Sequence, residues 1–174
     1  NSRELSDYVN TLGQFADYVV ENLKSQVLFI PMELKGSGTD DRWLINKIVS
    51  NMSNSHACSV ADMDLSTEDH FKLVRACRYF VGHKTHSVIF SLAAGTPLIA
   101  LAYHPKTVEF MQQFGLDEFV ILDSELTSDV LALKFNKMAI NSESIGKQIL
   151  KNSQRITQLM KTDFDTMISF AFNG

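Results

Sequence analysis

The sequence is poor in the features that mark most specialised chemistries. It holds two cysteines, one tryptophan and three prolines in 174 residues. Cys58 and Cys77 both lie in apolar surroundings and read as buried free thiols in a reducing compartment. Positive charge is also scarce. Sixteen Lys and Arg against 20 Asp and Glu leave a formal charge of −4, which excludes broad nucleic-acid binding but permits a local basic pocket. No apolar run approaches the ~20 residues of a membrane span, and no signal-peptide pattern opens the chain. There is no paired CxxC, no HExxH and no carboxylate cluster. No metal is therefore expected, although His83 and His86 are three apart with Cys77 nearby. The absence of a GxSxG elbow argues against Ser87 and His86 as a nucleophile and base. Neither a repeat nor a low-complexity tract nor an internal linker is visible.

What is present is ordinary for a folded protein, with 45% apolar and 21% charged residues. Length and continuity predict one α/β domain over residues 1–174. Leu5, Tyr8, Val9, Leu12, Phe15, Ala16, Val19, Val20 and Leu23 recur at helical spacing. Val27–Pro31 then reads as a buried parallel strand. Residues 32–41, with Gly36 and Gly38, form a mobile loop at its carboxyl end. Thr39 or Asp40 caps a helix to about Met52, with Trp43, Leu44, Ile48 and Met52 inward. Ala57–Ala61 is a second, weaker strand. Ser66 starts a helix in which Asp69 stands where a capping box prefers Glu or Gln, and which ends near Cys77.

The centre of the pattern is Tyr79–Phe114. Two apolar runs, Tyr79–Val81 and Leu98–Ala102, each lead through a polar turn into a helix. Thr85 is the expected cap of the first helix, Gly95 its left-handed stop, and Pro97 a block to continuation. Pro105 suits the first turn of the second helix, which stops at Gly115. A fifth strand at Phe119–Leu122, a short helix from Ser124 to about Phe135 and a long terminal helix over 141–171 complete the pattern. That last helix should turn Ile145, Ile149, Ile156, Leu159, Met160, Phe164, Met167 and Ile168 inward. The fold predicted is a doubly wound, mostly parallel five-stranded sheet with helices on both faces. A layer of this kind usually begins on a strand, whereas this chain opens on a helix. We therefore expect it to be part of a longer protein.

In such sheets ligands sit beyond the carboxyl ends of the strands, against helix N-termini. Both central turns carry cationic or ionisable side chains: His83, Lys84 and His86 in one, His104 and Lys106 in the other. Lysines at helix starts oppose the helix dipole, which suggests a compensating anion. The two turns are thus expected to form one anion-binding crevice, with Thr85, Tyr103 and Glu33 at its edge. Nucleotide-sugar transferases of this architecture commonly carry a glutamate five residues before the glycine of a GxP turn. Here that position is Phe90, which cannot accept hydrogen bonds from a ribose.

The stretch FVGHKTHSVIFSLAAGTPLIALAYHPKTVEFMQQFGL resembles the carboxyl-terminal signature of the polysaccharide pyruvyl transferases. The matching positions are Gly82, Lys84 in place of Arg, His86, Gly95, Pro97, Tyr103, Lys106 and Gly115. Weaker similarity reaches back to Val27. The resemblance implies the carboxyl-terminal, Rossmann-like half of a two-domain GT-B-like enzyme whose amino-terminal domain lies elsewhere. It implies pyruvyl transfer from phosphoenolpyruvate, without a cofactor, to hydroxyls of a saccharide, free or lipid-linked, in cell-surface or exopolysaccharide synthesis. The implied location is the cytoplasm or the inner face of the membrane. His86 corresponds to the family histidine and is the expected catalytic residue; Lys84, Thr85, Tyr103, Lys106 and Glu33 are the expected substrate contacts. Lysine at position 84 keeps the charge of the family arginine but loses its planar, two-pronged grip. A nucleotide-sugar glycosyltransferase domain and a non-catalytic domain of the same fold stay open as alternatives.

Overall fold

The computed structural model describes residues 2–33, 40–61 and 64–173, with backbone alone for 2–3 and 164–173. Seven α-helices and five short strands alternate along these residues. Helix α1 (Ser2–Leu23) leads into β1 (Val27–Phe29), α2 (Asp41–Ser50) into β2 (Cys58–Val60), and α3 (Thr67–Ala76) into β3 (Phe80–Gly82). Then come α4 (Thr85–Ala94), β4 (Leu98–Ala102), α5 (Pro105–Gln113), β5 (Val120–Leu122), α6 (Ser128–Ile140) and α7 (Ser142–Asn173). All pairing is parallel, as the alternation implies. The single five-stranded sheet is not formed, however. Among the described residues β1 pairs only with β2, and β3, β4 and β5 form a separate sheet in that order. The reason is spatial: a cavity of about 480 Å³ lies between β1 and β3, floored by α1 and α2. Both strands line it, through Val27–Phe29 on one side and Phe80–Val81 on the other.

The core sits on β4, where all five residues are buried. Leu98, Ile99 and Ala100 have no exposure at all, so this is the strand covered on both faces. By contrast Leu28 in β1 is 38% exposed. Helix α1 packs against α2 and α6, and α4 packs against α3 and α7, with α6 and α7 also in contact.

Local signals explain most boundaries. The Asp40 carboxylate accepts from the Arg42 amide to cap α2. Asp69 closes the capping box of α3 despite being a carbon shorter than Glu, with Asp69 N to Ser66 Oγ at 3.2 Å and Ser66 N to Asp69 Oδ2 at 3.3 Å. Gly95 ends α4 at φ 76°, in the left-handed region. Helix α5 stops at Gly115 as expected, again in the left-handed region at φ 68°, with Leu116 N donating to Met111 O at 2.9 Å, and side chains of α7 add to this end. Gln148 Nε2 donates to the Phe114 and Gly115 carbonyls at 2.8 and 3.0 Å, and Asn152 Nδ2 to Phe114 O at 3.0 Å.

Several expectations need correction. Trp43 is 54% exposed with Lys47 over its ring, and Ile45 takes the inward position instead; a helix phased on Ile45 and Ile48 turns Trp43 outward. Residues 123–125 form only a 3₁₀ turn, and α6 starts later, capped by Thr127. In α7, Ile145 and Ile149 are buried and Ile156 packs against the core, but Leu159 and Met160 are exposed because the helix has run past the core. Phe164, Met167 and Ile168 fall where only backbone is described, and residues 34–39 of the glycine-bearing loop, including the Thr39 cap, lie outside the described residues. Both cysteines are free and half-buried, and burial pushes both thiols up. No described helix is long and apolar enough to cross a membrane.

Candidate functional site

The carboxyl ends of β1, β3 and β4 meet at one rim, and the residues just beyond them are the polar ones. After β1, the Asp41 carboxylate accepts from the Met32 and Glu33 amides at 2.9 Å each, and Asp41 N donates to Glu33 O. This folds the chain so that Glu33 and Asp41 point the same way. After β3, Gly82 allows α4 to start close against the strand. A Cβ there would stand 2.9 Å from Ser87 Oγ and 3.0 Å from the Phe80 ring. Helix α4 begins one residue earlier than expected, with Lys84 at the cap position and Thr85 inside the first turn. Ser87 Oγ donates to Lys84 O at 2.7 Å and holds that turn. After β4, the His104 ring accepts from the Lys106 amide at 3.2 Å and caps α5, with Pro105 in its first turn.

Two contacts tie the central turns together. The Thr85 and Thr107 hydroxyls lie 2.8 Å apart, and the His83 and Tyr103 rings lie 4.9 Å centroid to centroid. On its other side His83 meets Tyr8 of α1 edge-on at 5.7 Å. Burial pushes the His83 imidazole below its ordinary value; Asp123 and Asp41 oppose this, and Lys84 adds to it. The half-buried Tyr8 phenol is driven well above its usual range by desolvation, with Asp123 and Asp41 reinforcing.

Lys84 is held more tightly than a solvent-facing lysine. Its Nζ stands 2.6 Å from Glu33 Oε2 and 2.9 Å from Asp41 Oδ1. Partial burial pulls its ammonium down, but hydrogen bonds to Glu33 and Asp41, helped by their charges, outweigh that and the net shift is upward. The lysine is therefore already compensated by two carboxylates. An incoming anion would compete with them for Nζ.

A second cavity, of about 490 Å³, opens at this rim. It is lined by Glu33, Lys84 and His86 together with Thr67, His70 and Phe90. His86, in the first turn of α4, is exposed to it. His70 is buried, with Nδ1 3.0 Å from Ser66 O and Nε2 2.9 Å from Pro31 O, so it ties the start of α3 to the end of β1. Of the expected site residues, Glu33, Lys84 and His86 share this cavity. Thr85 faces Thr107. Tyr103 and Lys106 are exposed beyond it and line neither cavity. Among the described residues no cluster of three or more His, Cys, Asp or Glu could hold a metal ion. Sequence reasoning missed Tyr8, Asp41, His70 and Asp123. Asp41 had a readable signal, as an acid just inside a helix start beyond a strand end. Tyr8 gave none, because it sits on the core-facing stripe of α1.

Comparison with known proteins decides the family. The polysaccharide pyruvyl transferase family model matches residues 2–105. The chain belongs to the polysaccharide pyruvyl transferase family. The match takes in α1 to the start of α5 and so includes Gly82, Lys84, His86, Gly95, Pro97 and Tyr103. A relative is the amylovoran biosynthesis protein AmsJ of Erwinia amylovora, 32% identical over 79 residues. Those residues are 45% of this chain and 19% of that protein, so the chain aligns with a minor part of its relative's length. No solved structure matches.

Proposed function

We propose that this pyruvyl transferase family chain is the carboxyl-terminal, phosphoenolpyruvate-binding part of an enzyme that pyruvylates a saccharide in exopolysaccharide or cell-surface polysaccharide synthesis. The observation that carries the reading is the placing of Lys84 and His86 on one cavity at the carboxyl rim of the strands, inside the family match. The amylovoran relative supports the polysaccharide context.

In this reading phosphoenolpyruvate enters the cavity with an acidic group toward Lys84 Nζ, displacing part of the Glu33 and Asp41 contact. His86 gives a proton to the methylene carbon, making it a methyl. The first sugar hydroxyl bonds to the central carbon and its proton passes back to His86, restoring the imidazolium. The bond from that carbon to the phosphate oxygen breaks, a second hydroxyl takes its place, and its proton leaves with the phosphate. The products are a cyclic ketal and inorganic phosphate. Imidazole is a side chain that can both give and take a proton near neutrality. Thr85, Tyr103 and Lys106 would meet the acceptor or the far end of the donor.

The test is calorimetry and a transfer assay on the full-length protein. Phosphoenolpyruvate should bind, nucleotide diphosphate sugars should not, and His86→Ala should abolish transfer while leaving donor binding within about tenfold. Binding of a nucleotide sugar alone would replace this reading with a glycosyltransferase one. Undiminished turnover by His86→Ala would remove that residue from the mechanism.

A further inference from the structure

The cavity between β1 and β3 is not a casual void. It is a cleft of about 480 Å³ that opens to solvent past the exposed Gln26, Leu28, Ala76 and Arg78. It separates two strands that each use one edge only: β1 toward β2, and β3 toward β4. Their free edges line the same space. Strand backbone donors and acceptors call for partners, and neither strand pairs with another on this side among the described residues.

Chirality says what belongs there. Crossovers between parallel strands in one sheet are right-handed in nearly all cases, so the face a helix occupies fixes the direction of the step. The step from β1 to β2 runs through α2. Helix α1 packs against α2 and α6, and the contact with α2 puts it on the face that α2 covers. Helices α3 and α4, which carry the chain back and onward through β3 to β4, pack together, and because β3 to β4 steps away from the cleft in the opposite direction to β1 to β2, the same rule puts them on the other face. A strand feeding α1 and then β1 must therefore step the same way as β1 to β2. That places it beside β1 on the edge away from β2, which is the gap. The direction agrees as well. Tyr8 meets His83 just beyond β3, so α1 begins at the carboxyl rim, and a strand leading into it would run parallel to the others.

We infer that a sixth, parallel strand fills the space between β1 and β3, and that it is the segment of the longer protein immediately preceding α1. It joins the two part-sheets in the order β2-β1-new-β3-β4-β5, with the reversal of winding direction at its own position. Ligands of doubly wound sheets bind at that reversal. The turn from the new strand into α1 would therefore emerge between Asp41 and His83 and complete the rim described above. This placement rests on the topology and not on the pyruvyl-transfer reading.

The experiment uses the full-length protein and follows amide hydrogen exchange by residue. Val27–Phe29 and Phe80–Gly82 should be protected to the level of β4. A proline placed in the middle of the segment before α1 should deprotect both edges at least tenfold while leaving β5 unchanged. If that variant does not fold, a disulfide replaces it. In a background lacking Cys58 and Cys77, Leu28→Cys should oxidise to a cysteine in that segment, and Ser59→Cys in β2 should not. Unchanged protection at both strands, cross-linking from β2 instead, or dependence of protection on protein concentration (a second copy as occupant) would overturn the inference. So would a gene with no residues other than the initiator methionine before Asn1.

Discussion

The pH response of the molecule should be readable at a single imidazole. His83 is wedged between Tyr8 and Tyr103, and burial holds it below its unfolded value near ~6.5. A folded state that resists protonation binds fewer protons than the unfolded one, so stability is full above ~6.5 and is lost as pH falls through the folded value. Melting temperature should therefore decline between roughly pH 7 and 5, and His83→Phe should flatten that decline; a wild-type slope retained in the variant would point to another group. Lys84 answers to a different rule. Removing its ammonium in Lys84→Met leaves Glu33 and Asp41 facing each other, and because all three side chains are partly solvated the loss should be about 1–2 kcal/mol by chemical denaturation. Lys84→Arg should fold normally, and any gain in donor affinity would report the two-pronged grip of guanidinium.

At the scale of elements, boundaries follow from single residues. Gly95 at φ 76° is the clearest case, and Gly95→Ala should cost about 1 kcal/mol for the backbone alone. An added Cβ would also stand 2.6 Å from Leu150 of α7, a flexible and partly exposed side chain that can move, so the total should stay under about 3 kcal/mol. Most of this level was legible in the sequence, because caps, prolines and glycines act locally: Ser66 with Asp69, Gly95 with Pro97, and His104 with Pro105 all stand where their chemistry demands. The parallel strand β4 was legible for the same reason, as an uninterrupted apolar run. The errors arose where a neighbour decides the outcome. Whether Trp43 or Ile45 faces inward is set by the phase of α2 against α1, and the pairing of Lys84 with Glu33 and Asp41 joins residues up to 51 positions apart. Local spacing carries neither.

For the whole molecule, what the sequence could not disclose is that its strands form two sheets. Composition and alternation are the same whether β1 touches β3 or stands apart from it; only the distance between them, and the face on which α1 lies, separate the cases. The same limit applies to the rim. Residues following β1, β3 and β4 were each visible as polar positions after apolar runs, but which of them share a cavity depended on how far the turns lean. His86 joins Lys84 and Glu33, while Lys106 is exposed and lines neither cavity.

The amide side chains of Gln148 and Asn152 give α7 a second duty. They supply donors to carbonyls that α5 would otherwise leave to water, so the chain's last helix finishes a helix more than thirty residues upstream. The contribution of α7 should therefore have a threshold. Among the described residues Ile156 is the last of α7 packed on the core, so Leu159→Ala and Met160→Ala beyond it should be silent in a thermal melt. Removal of the chain from Gln148 onward should loosen Phe114 and Gly115 and lower the melting temperature by several degrees, with the turn bearing His104 and Lys106 losing order at the opposite end of the same helix.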